Sequence, residues 1–174
     1  MPTIFSHSIS GLAISSLNKT KVSKIKYYIF VILSACIPDL DVISFKFGIP
    51  YADIFGHRGI SHSILFALIY SFLIVKIFFA KENFFKLGSI FFLITISHGL
   101  LDMLTNGGLG VCLACPFNSE RLFFDIRPIL VSPIGKHFFS ERGLLVLQSE
   151  FFWVWIPSGI FYFMLRVKRY FWKQ

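Results

Sequence analysis

The stretch SHGLLD contains the residue pair best suited to chemistry, His98 and Asp102. On a helix, a spacing of four residues places the two side chains on one face, one turn apart. An imidazole nitrogen and a carboxylate oxygen in that arrangement can bind one metal ion. The alternative is a purely structural hydrogen bond, in which each of the two polar groups serves only as the partner of the other. We predict that both residues are metal ligands.

Two further histidines, His57 and His62, lie in the stretch HRGISHS. Five residues apart on a continuous helix, they would diverge by about 140°. Gly59 permits a non-helical backbone that turns both imidazoles inward, as two more predicted ligands. Arg58 is a candidate clamp for a phosphate group, because its planar guanidinium matches two phosphate oxygens. Helix capping and interfacial placement are the structural alternative.

Two carboxylates, Asp39 and Asp41, come from the stretch IPDLD. Pro38 disfavours a helical conformation in the residue before it, so we predict that a helix ends here and that the carboxylates alternate along extended chain. Asp39 is a predicted metal ligand. Asp41 is a candidate catalytic base, or a carboxylate that orients a histidine. Ordinary turn chemistry is the alternative for both.

The two ends of the sequence add His7 and Glu150. His7 lies in a short, serine-rich apolar segment, and Gly11, four residues later, gives that segment a thin face for close packing. We predict that His7 is also a metal ligand. Glu150 is surrounded by aromatic residues and is a candidate catalytic base, a ligand, or the partner of Arg142.

The overall composition is far more apolar than that of a soluble domain. Of the 174 residues, 55% are hydrophobic and 15% are charged, whereas average soluble proteins have roughly 45–50% and about 25%. Phe alone accounts for 23 residues, and the mean hydropathy is +0.71. A globule of this size cannot bury so many apolar side chains. Disorder, a coiled coil and a disulfide scaffold are excluded, and a membrane is the expected solvent.

Several apolar segments are candidates for membrane helices. Crossing a hydrocarbon core takes about 20 apolar residues, and three segments are long enough: Gly59–Ala80, Phe84–Leu104 and Leu144–Val167. Two shorter segments form a predicted helix pair, Ile4–Leu17 and Tyr27–Ile37. We therefore predict an all-α polytopic membrane bundle of about four to five helices, with a long outer loop, in one domain over residues 1–174.

Basic residues cluster in three segments: the loop 19–26, the loop 81–86 and the tail that begins at Arg166. The positive-inside rule places all three in the cytoplasm. The net charge of +8 then reflects topology, and no nucleic-acid partner is expected. Under this orientation the predicted site residues share one level near the extracytoplasmic face. Ionisable groups in a membrane normally face the bundle interior, where they pair, bind ions or do chemistry.

The long segment 106–142 follows the last predicted ligand. Connections of this length are usually lids or binding loops, and the segment carries cations that suit an anionic substrate: Arg121, Arg127, Lys136 and Arg142. It also holds Cys112 and Cys115, a C-x2-C pair without the second pair that would complete a zinc site. A disulfide between these two cysteines is the less favoured interpretation.

Taken in order, His7, PDLD, HRGISHS and SHGLLD resemble the motifs of the YdjM-like family, the LexA-regulated, inner-membrane-associated metal-dependent hydrolases of bacteria. The resemblance covers essentially the whole chain. It implies a multi-pass protein of the bacterial inner membrane with hydrolase activity.

A more distant likeness is to the all-helical zinc-dependent phospholipases C and single-strand nucleases, which cleave phosphoesters with clustered zinc ions. Carried over by position, the ligands would be His7, Asp39, His57 or His62, His98 and Asp102. The sequence has no clear counterpart of the further His-x3-Glu pair of those enzymes. The likeness therefore implies one or two ions rather than three.

The function predicted from these observations is hydrolysis of a phosphoester by a metal-activated water. Zinc is the expected ion for mixed nitrogen and oxygen ligands, with manganese second. Asp39, Asp41 or Glu150 would accept the proton, and Arg58 would hold the phosphate. The expected partners are membrane lipids, with a lipid-linked phosphoester as substrate. The alternative is a non-catalytic metal-binding membrane protein or an ion or metal transporter, which should carry ionisable groups over the whole membrane depth.

Overall fold

The computed structural model describes residues 1–18, 23–133 and 135–171. Its α-helices are α1 (Ile4–Ser15), α2 (Lys24–Cys36), α3 (Ile64–Phe78), α4 (Phe84–Met103), α5 (Glu141–Glu150) and α6 (Ile156–Phe171). Short 3-10 helices cover Ile37–Phe47, Ile60–His62 and Gly135–Phe138, and a π-helical turn covers Phe151–Trp155. The described residues contain no extended strand, only two isolated bridges. The predicted all-α class is confirmed.

The chain does not leave the helical conformation at Pro38, and this prediction was wrong. The 3-10 helix Ile37–Phe47 continues directly from α2, so the two form one helical segment of 24 residues. Pro38 occupies one of the first two positions of the 3-10 helix, where its missing N–H costs no hydrogen bond. Asp39 and Asp41 therefore lie on a helical turn rather than on extended chain.

The third helix is shorter than the predicted segment Gly59–Ala80. Helix α3 begins only at Ile64, after Ser63 caps it by accepting a hydrogen bond from the Phe66 amide at 3.0 Å. The stretch HRGISHS precedes the helix as turns and one short 3-10 helix. The predicted non-helical backbone around Gly59 is thus present, and it removes the divergence that a continuous helix would impose on His57 and His62.

Helix α4 lies at the centre of the bundle. One of its faces is fully buried along its length, at spacings of three or four residues: Leu87, Phe91, Ile94, His98 and Asp102. The first three belong to the hydrophobic core. The same face becomes polar in the last turns of the helix.

Helix α1 packs closely on α2, as the position of Gly11 predicts. A Cβ atom at Gly11 would lie 2.8 Å from the Cβ of Ala35, closer than carbon atoms approach. Glycine therefore allows the two backbones to come together. The close approach brings His7, one turn earlier on α1, near Asp39 in the 3-10 helix that follows α2.

Three helical segments are long and apolar enough to cross a membrane: Lys24–Phe47, Phe84–Met103 and Glu141–Phe171. The last runs through α5, the π-helical turn and α6 over 31 residues. Helix α6 buries none of its residues inside the protein. Such an exposed apolar surface is compatible with contact to lipid. The predicted helical membrane bundle is supported, while α1 and α3 are shorter apolar helices.

The segment between α4 and α5 packs over the HRGISHS stretch. Cys112 and Cys115 form a disulfide, the interpretation that the sequence had favoured less. The Cys112 amide donates to the Arg58 carbonyl at 2.9 Å, and the Leu113 carbonyl accepts from the Ile64 amide at 3.0 Å. The disulfide turn therefore holds the backbone that carries His57 and His62.

Candidate metal centre

Four side chains from three parts of the chain converge at one end of the bundle. They are supplied by the 3-10 helix after α2, the turn before α3 and the end of α4: Asp39, His62, His98 and Asp102. One ligand atom from each lies within 4.8 Å of the others. This group, called the cage below, contains four of the six residues predicted as metal ligands.

The distances within the cage fit a single small ion. Asp39 Oδ1 lies 3.2 Å from His98 Nε2 and 3.7 Å from His62 Nε2. His62 Nε2 is 3.4 Å from Asp102 Oδ2. Two ligands bound tetrahedrally at zinc–nitrogen or zinc–oxygen distances would be separated by about 3.3 Å. The spacing therefore suits an ion at the common centre better than direct contacts among the ligands.

Buried polar atoms without hydrogen-bond partners are concentrated in and beside the cage. Those in or beside the cage are His7 Nδ1 and Nε2, Asp39 Oδ1, His62 Nε2, His98 Nε2, Arg58 Nε and both carboxylate oxygens of Asp102, with Arg58 Nε and Asp102 Oδ2 facing each other as an ion pair. Buried polar atoms in folded proteins nearly always have a partner. An ion bound by these nitrogens and oxygens would satisfy most of them together. The residues present therefore fit a bound metal.

His7 lies at the border of the cage. Its Nε2 is 3.7 Å from Asp102 Oδ1 and 4.0 Å from Asp39 Oδ2, and its ring stacks on His98 with centroids 3.7 Å apart. The side chain is fully buried. His7 is therefore brought to the site, one step farther from its centre than the four cage residues.

The backbone carbonyl of Ala35 sets the orientation of His98. His98 Nδ1 lies 2.7 Å from this oxygen, so Nδ1 carries the proton and Nε2 presents its lone pair to the cage. Metal-binding histidines commonly donate their second nitrogen in this way. Gly99 allows the neighbouring close contact, because a Cβ there would lie 3.1 Å from the His62 carbonyl.

Asp41 orients the other histidines. One carboxylate oxygen lies 2.6 Å from His57 Nδ1, and the second lies 3.1 Å from His62 Nδ1. The second oxygen also accepts hydrogen bonds from the Arg58 amide and the Ser61 hydroxyl. Of the two roles predicted for Asp41, the geometry supports the one of orienting histidines.

His57 contacts Asp41 rather than the cage. Together with Asp41 and His62 it forms a second group of potential ligands. The 2.6 Å contact already pairs His57 Nδ1 with the carboxylate. An ion bound there would have to displace that hydrogen bond, so the cage is the better metal site.

The charge of His62 depends on the carboxylates around it. Burial lowers its pKa, but the nearby carboxylates of Asp102, Asp39 and Asp41 outweigh this effect and raise the pKa well above the ordinary value. A cation entering the cage therefore competes with a proton on His62.

Arg58 does not offer its guanidinium to a substrate, contrary to the predicted phosphate clamp. The residue is fully buried, and its Nε lies 2.9 Å from Asp102 Oδ2. Its other nitrogens donate to Thr105 Oγ1 and to the Gly107 carbonyl. The backbone of Arg58 has φ of 62°, an uncommon conformation for a residue other than glycine. Arg58 is an internal counter-ion of the cage.

Glu150 supports the start of α1 and does not reach the cage group. Its carboxylate accepts hydrogen bonds from the Thr3 amide and hydroxyl, both at 2.5 Å, and from the Ser6 hydroxyl at 2.6 Å. The Trp155 indole donates to the same Ser6 oxygen. Glu150 therefore fixes the helix that carries His7. This role differs from the three that were predicted for it, a catalytic base, a metal ligand or the ion-pair partner of Arg142.

The contacts of Arg121 were not indicated by the sequence. Arg121, predicted to attract an anionic substrate, instead donates to the carbonyls of His57, Tyr51 and Asp53. These contacts depend on how distant segments pack, which residue types alone do not indicate.

Comparison with known sequences identifies the family. The profile of the YdjM inner membrane protein family matches residues 1–173. The chain belongs to this family. It is also 37% identical over 175 residues to the inner membrane protein YbcI of Escherichia coli (strain K12), an alignment that covers 97% of this chain and 99% of that protein. The predicted family and the placement in the inner membrane are thus supported, while neither description states a reaction. No solved structure matches the chain.

Proposed function

We propose that this protein is a membrane-bound metal-dependent hydrolase that cleaves a phosphoester. The observation that carries the proposal is the convergence of unpartnered, buried nitrogen and oxygen atoms in the cage. Leaving such atoms unpaired destabilises a folded protein. A bound cation removes that cost and supplies chemistry at the same place.

Zinc is the proposed ion, with manganese second, because the cage offers two imidazole nitrogens and two carboxylates. When bound, such an ion lowers the pKa of a coordinated water to about 7 and polarises a phosphoryl oxygen. His98 and His62 hold their ligand nitrogens in place through the Ala35 carbonyl and the Asp41 carboxylate.

Asp39 is the residue that meets the substrate in this proposal. Its side chain is 16% exposed, whereas those of His7, His62, His98 and Asp102 are completely buried. Oδ1 faces the cage and Oδ2 points away from its centre, 4.0 Å from His7 Nε2. We assign the transfer of the proton from the attacking water to Asp39, since Asp41 and Glu150 already accept other hydrogen bonds.

The charges of the cage suit a divalent ion and an anionic substrate. Asp39 and Asp102 contribute two negative charges, and the guanidinium of Arg58 compensates one of them. With a divalent ion, the charges of Asp39, Asp102, Arg58 and the neighbouring Asp41 would sum to zero. A phosphoester anion would bind such a centre at the ion itself, where burial weakens solvent screening.

The disulfide supports an extracytoplasmic position for the site. Disulfides persist in the bacterial periplasm and are rare in the cytosol. The Cys112–Cys115 disulfide packs directly on the backbone of Arg58, beside the cage. Lys24 and Lys26 in the first turn of α2, and Lys81 and Lys86 around the start of α4, lie at the ends of these helices opposite to the cage, in agreement with the positive-inside rule.

The distribution of buried ionisable groups favours a hydrolase over a transporter. Among the described residues, those groups lie in the cage or in residues that contact it or support α1: His7, His57, Arg58, His62, His98, Asp102 and Glu150. A transport pathway would need such groups along the membrane depth. The other half of the bundle buries small hydroxyl groups instead, such as those of Ser71 and Thr95.

The proposal is tested by measuring metal content and turnover together. We expect the purified protein in nanodiscs to contain about one zinc per chain and to hydrolyse bis(p-nitrophenyl) phosphate in a chelator-sensitive manner. His98→Ala should lose both properties. His137→Ala is the matched control, because His137 is exposed and outside the cage. Absence of metal from the wild type would refute the site, and bound zinc without turnover on phosphoesters would make the protein a non-catalytic metal binder.

A further inference from the structure

A large apolar cavity opens beside the exposed side of the cage. It has a volume of about 530 Å³, within the range that holds a small ligand. Asp39 lines one end, and Leu40, Phe5, Phe138 and Phe139 line the walls. The only partly exposed carboxylate of the cage is thus the polar end of an otherwise hydrophobic cavity.

A second cavity extends the first one along α5. Its volume is about 600 Å³, and it shares Phe5, Phe138 and Phe139 with the first. Beyond these residues it is lined by Leu144 and Leu147. Because they share Phe5, Phe138 and Phe139, the two cavities adjoin, and together, from Asp39 to Leu147, we call them the α1–α5 groove.

We propose that the α1–α5 groove binds a hydrocarbon chain of a membrane lipid and places the lipid's phosphoester headgroup at Asp39. This inference rests on the proposed function, because it takes the cage as the reactive centre and names its substrate class. The polarity of the lining supports this: Asp39 adjoins the metal site, and the remaining lining is mostly apolar, with only the hydroxyls of Thr3, Ser132 and Ser140 among it. That is the polarity of a lipid molecule.

The openness of the groove also fits a ligand that comes from the bilayer. The side chains of Phe139 and Leu144 are 89% and 70% exposed, so the outer wall is accessible from the surroundings of α5. Helix α5 begins one of the three segments long enough to span the membrane. A lipid can therefore slide into the groove laterally without leaving the hydrocarbon phase.

A peptide or a second copy of this protein fits the groove less well. A polypeptide backbone carries an N–H and a C=O at nearly every residue, and each must find a partner when it is buried. The shared walls, Phe5, Phe138 and Phe139, are aromatic side chains that offer none. A hydrocarbon chain requires no such partners, which makes a lipid the best-matched occupant.

Binding of non-hydrolysable n-alkyl phosphonates tests the inference without requiring turnover. We expect the affinity of the zinc-loaded protein in nanodiscs, measured by calorimetry for ethyl, octyl and hexadecyl phosphonate, to rise by about three- to fourfold per methylene until the groove is filled. Leu144→Trp should narrow the far end, weaken binding of the hexadecyl compound by about tenfold or more, and leave ethyl phosphonate unaffected.

Leu145→Trp is the matched control. Leu145 lies on the same helix, is 52% exposed and does not line the groove. Any effect of chain length that arises from partition into the bilayer is the same in both variants. A second pair, Leu40→Trp against Ile43→Trp, repeats the comparison near Asp39, where Leu40 lines the groove and Ile43 does not.

Failure of this inference differs from failure of the proposed function. If the protein hydrolyses short phosphoesters but the groove variants and their controls bind hexadecyl phosphonate equally, the groove assignment is overturned and the hydrolase remains. If chain-length-dependent binding is lost only in the groove variants and no phosphoester is cleaved, the groove is supported and the hydrolase is refuted.

Discussion

The two halves of α4 show how one helical face can serve packing at one end and binding at the other. Leu87, Phe91 and Ile94 are completely buried and fill the hydrophobic core. His98 and Asp102 continue the same face, equally buried, but present nitrogen and oxygen atoms that form no hydrogen bond within the cage. The apolar side chains of the core half need no hydrogen-bond partner. The buried polar atoms of the cage half do, and a bound ion would supply it.

This difference between the two halves of α4 shows that burial alone does not identify a residue as structural. Apolar side chains gain stability from burial without further partners, while a buried histidine or carboxylate needs compensation. Support for the cage comes from the outside: Ala35, Asp41 and Glu150 each fix an element or a ring that carries a ligand. The following changes test this difference, beginning with the largest expected effect.

Asp102→Ala should abolish metal binding and lower the stability by about 3–5 kcal/mol, because it leaves the buried guanidinium of Arg58 without its counter-ion. Metal analysis and thermal unfolding in detergent would measure the two effects. The double variant Arg58→Met and Asp102→Ala should recover stability but not the metal. Retention of zinc by Asp102→Ala would show that the cage does not use this carboxylate.

Phe91→Ala, in the core half of the same helix, should lower the stability by about 3–5 kcal/mol through the cavity that it creates. Phe91 is fully buried and its ring packs against Tyr27 and Phe79. The metal content per folded chain should stay at the wild-type value. Loss of metal in this variant would mean that the two halves of α4 are not independent.

Asp41→Asn should weaken zinc binding by about 10–100-fold, the usual effect of removing a carboxylate that orients ligand histidines. The amide keeps the shape of the side chain but cannot accept from both His57 and His62 as a carboxylate does. A competition titration with a chelator would measure the affinity. Asp53→Asn is the control, because Asp53 is an exposed aspartate whose carboxylate accepts from the Phe55 amide and contacts no histidine in the described part of the chain. Equal losses of affinity in both variants would show that Asp41 does not support the cage.

Reduction of the disulfide should have the smallest effect, a loss of about 2 kcal/mol in the free energy of unfolding, since the bridge closes a very short loop. Thermal unfolding with and without a thiol reductant would measure it. Cys36→Ser should show the same response to reductant as the wild type, because Cys36 is a free cysteine. Unchanged stability of the wild type on reduction would remove the disulfide as a support of the HRGISHS stretch.

Much of the architecture follows from local sequence patterns. The excess of apolar residues and the lengths of the apolar segments predicted a helical membrane bundle, and the described residues form one. Two boundaries were wrong for a shared reason. Pro38 is tolerated at the start of a 3-10 helix, and α3 begins only at Ile64 because Ser63 caps its N-terminus. Both outcomes depend on hydrogen bonds at helix ends, which composition and length do not determine.

The roles of individual polar residues were harder to predict. The spacing of His98 and Asp102 placed them correctly on one face, because that relation is local to a helix. Arg58, by contrast, has the chemistry of a phosphate ligand and lies buried against Asp102. Whether a guanidinium faces solvent or a neighbouring carboxylate depends on the left-handed backbone at Arg58 and on the packing of residues 105–107 over it.

Composition and relations within one helical turn are enough to indicate the membrane environment, the helical class and the supply of imidazoles and carboxylates. Which of these side chains meet depends on the packing of segments that are distant in the chain. Two separate segments bring Asp39 and His62 to the end of α4, whereas Glu150 lies beside the start of α1. Contacts between distant segments are set by the packing of whole helices, to which every buried side chain contributes.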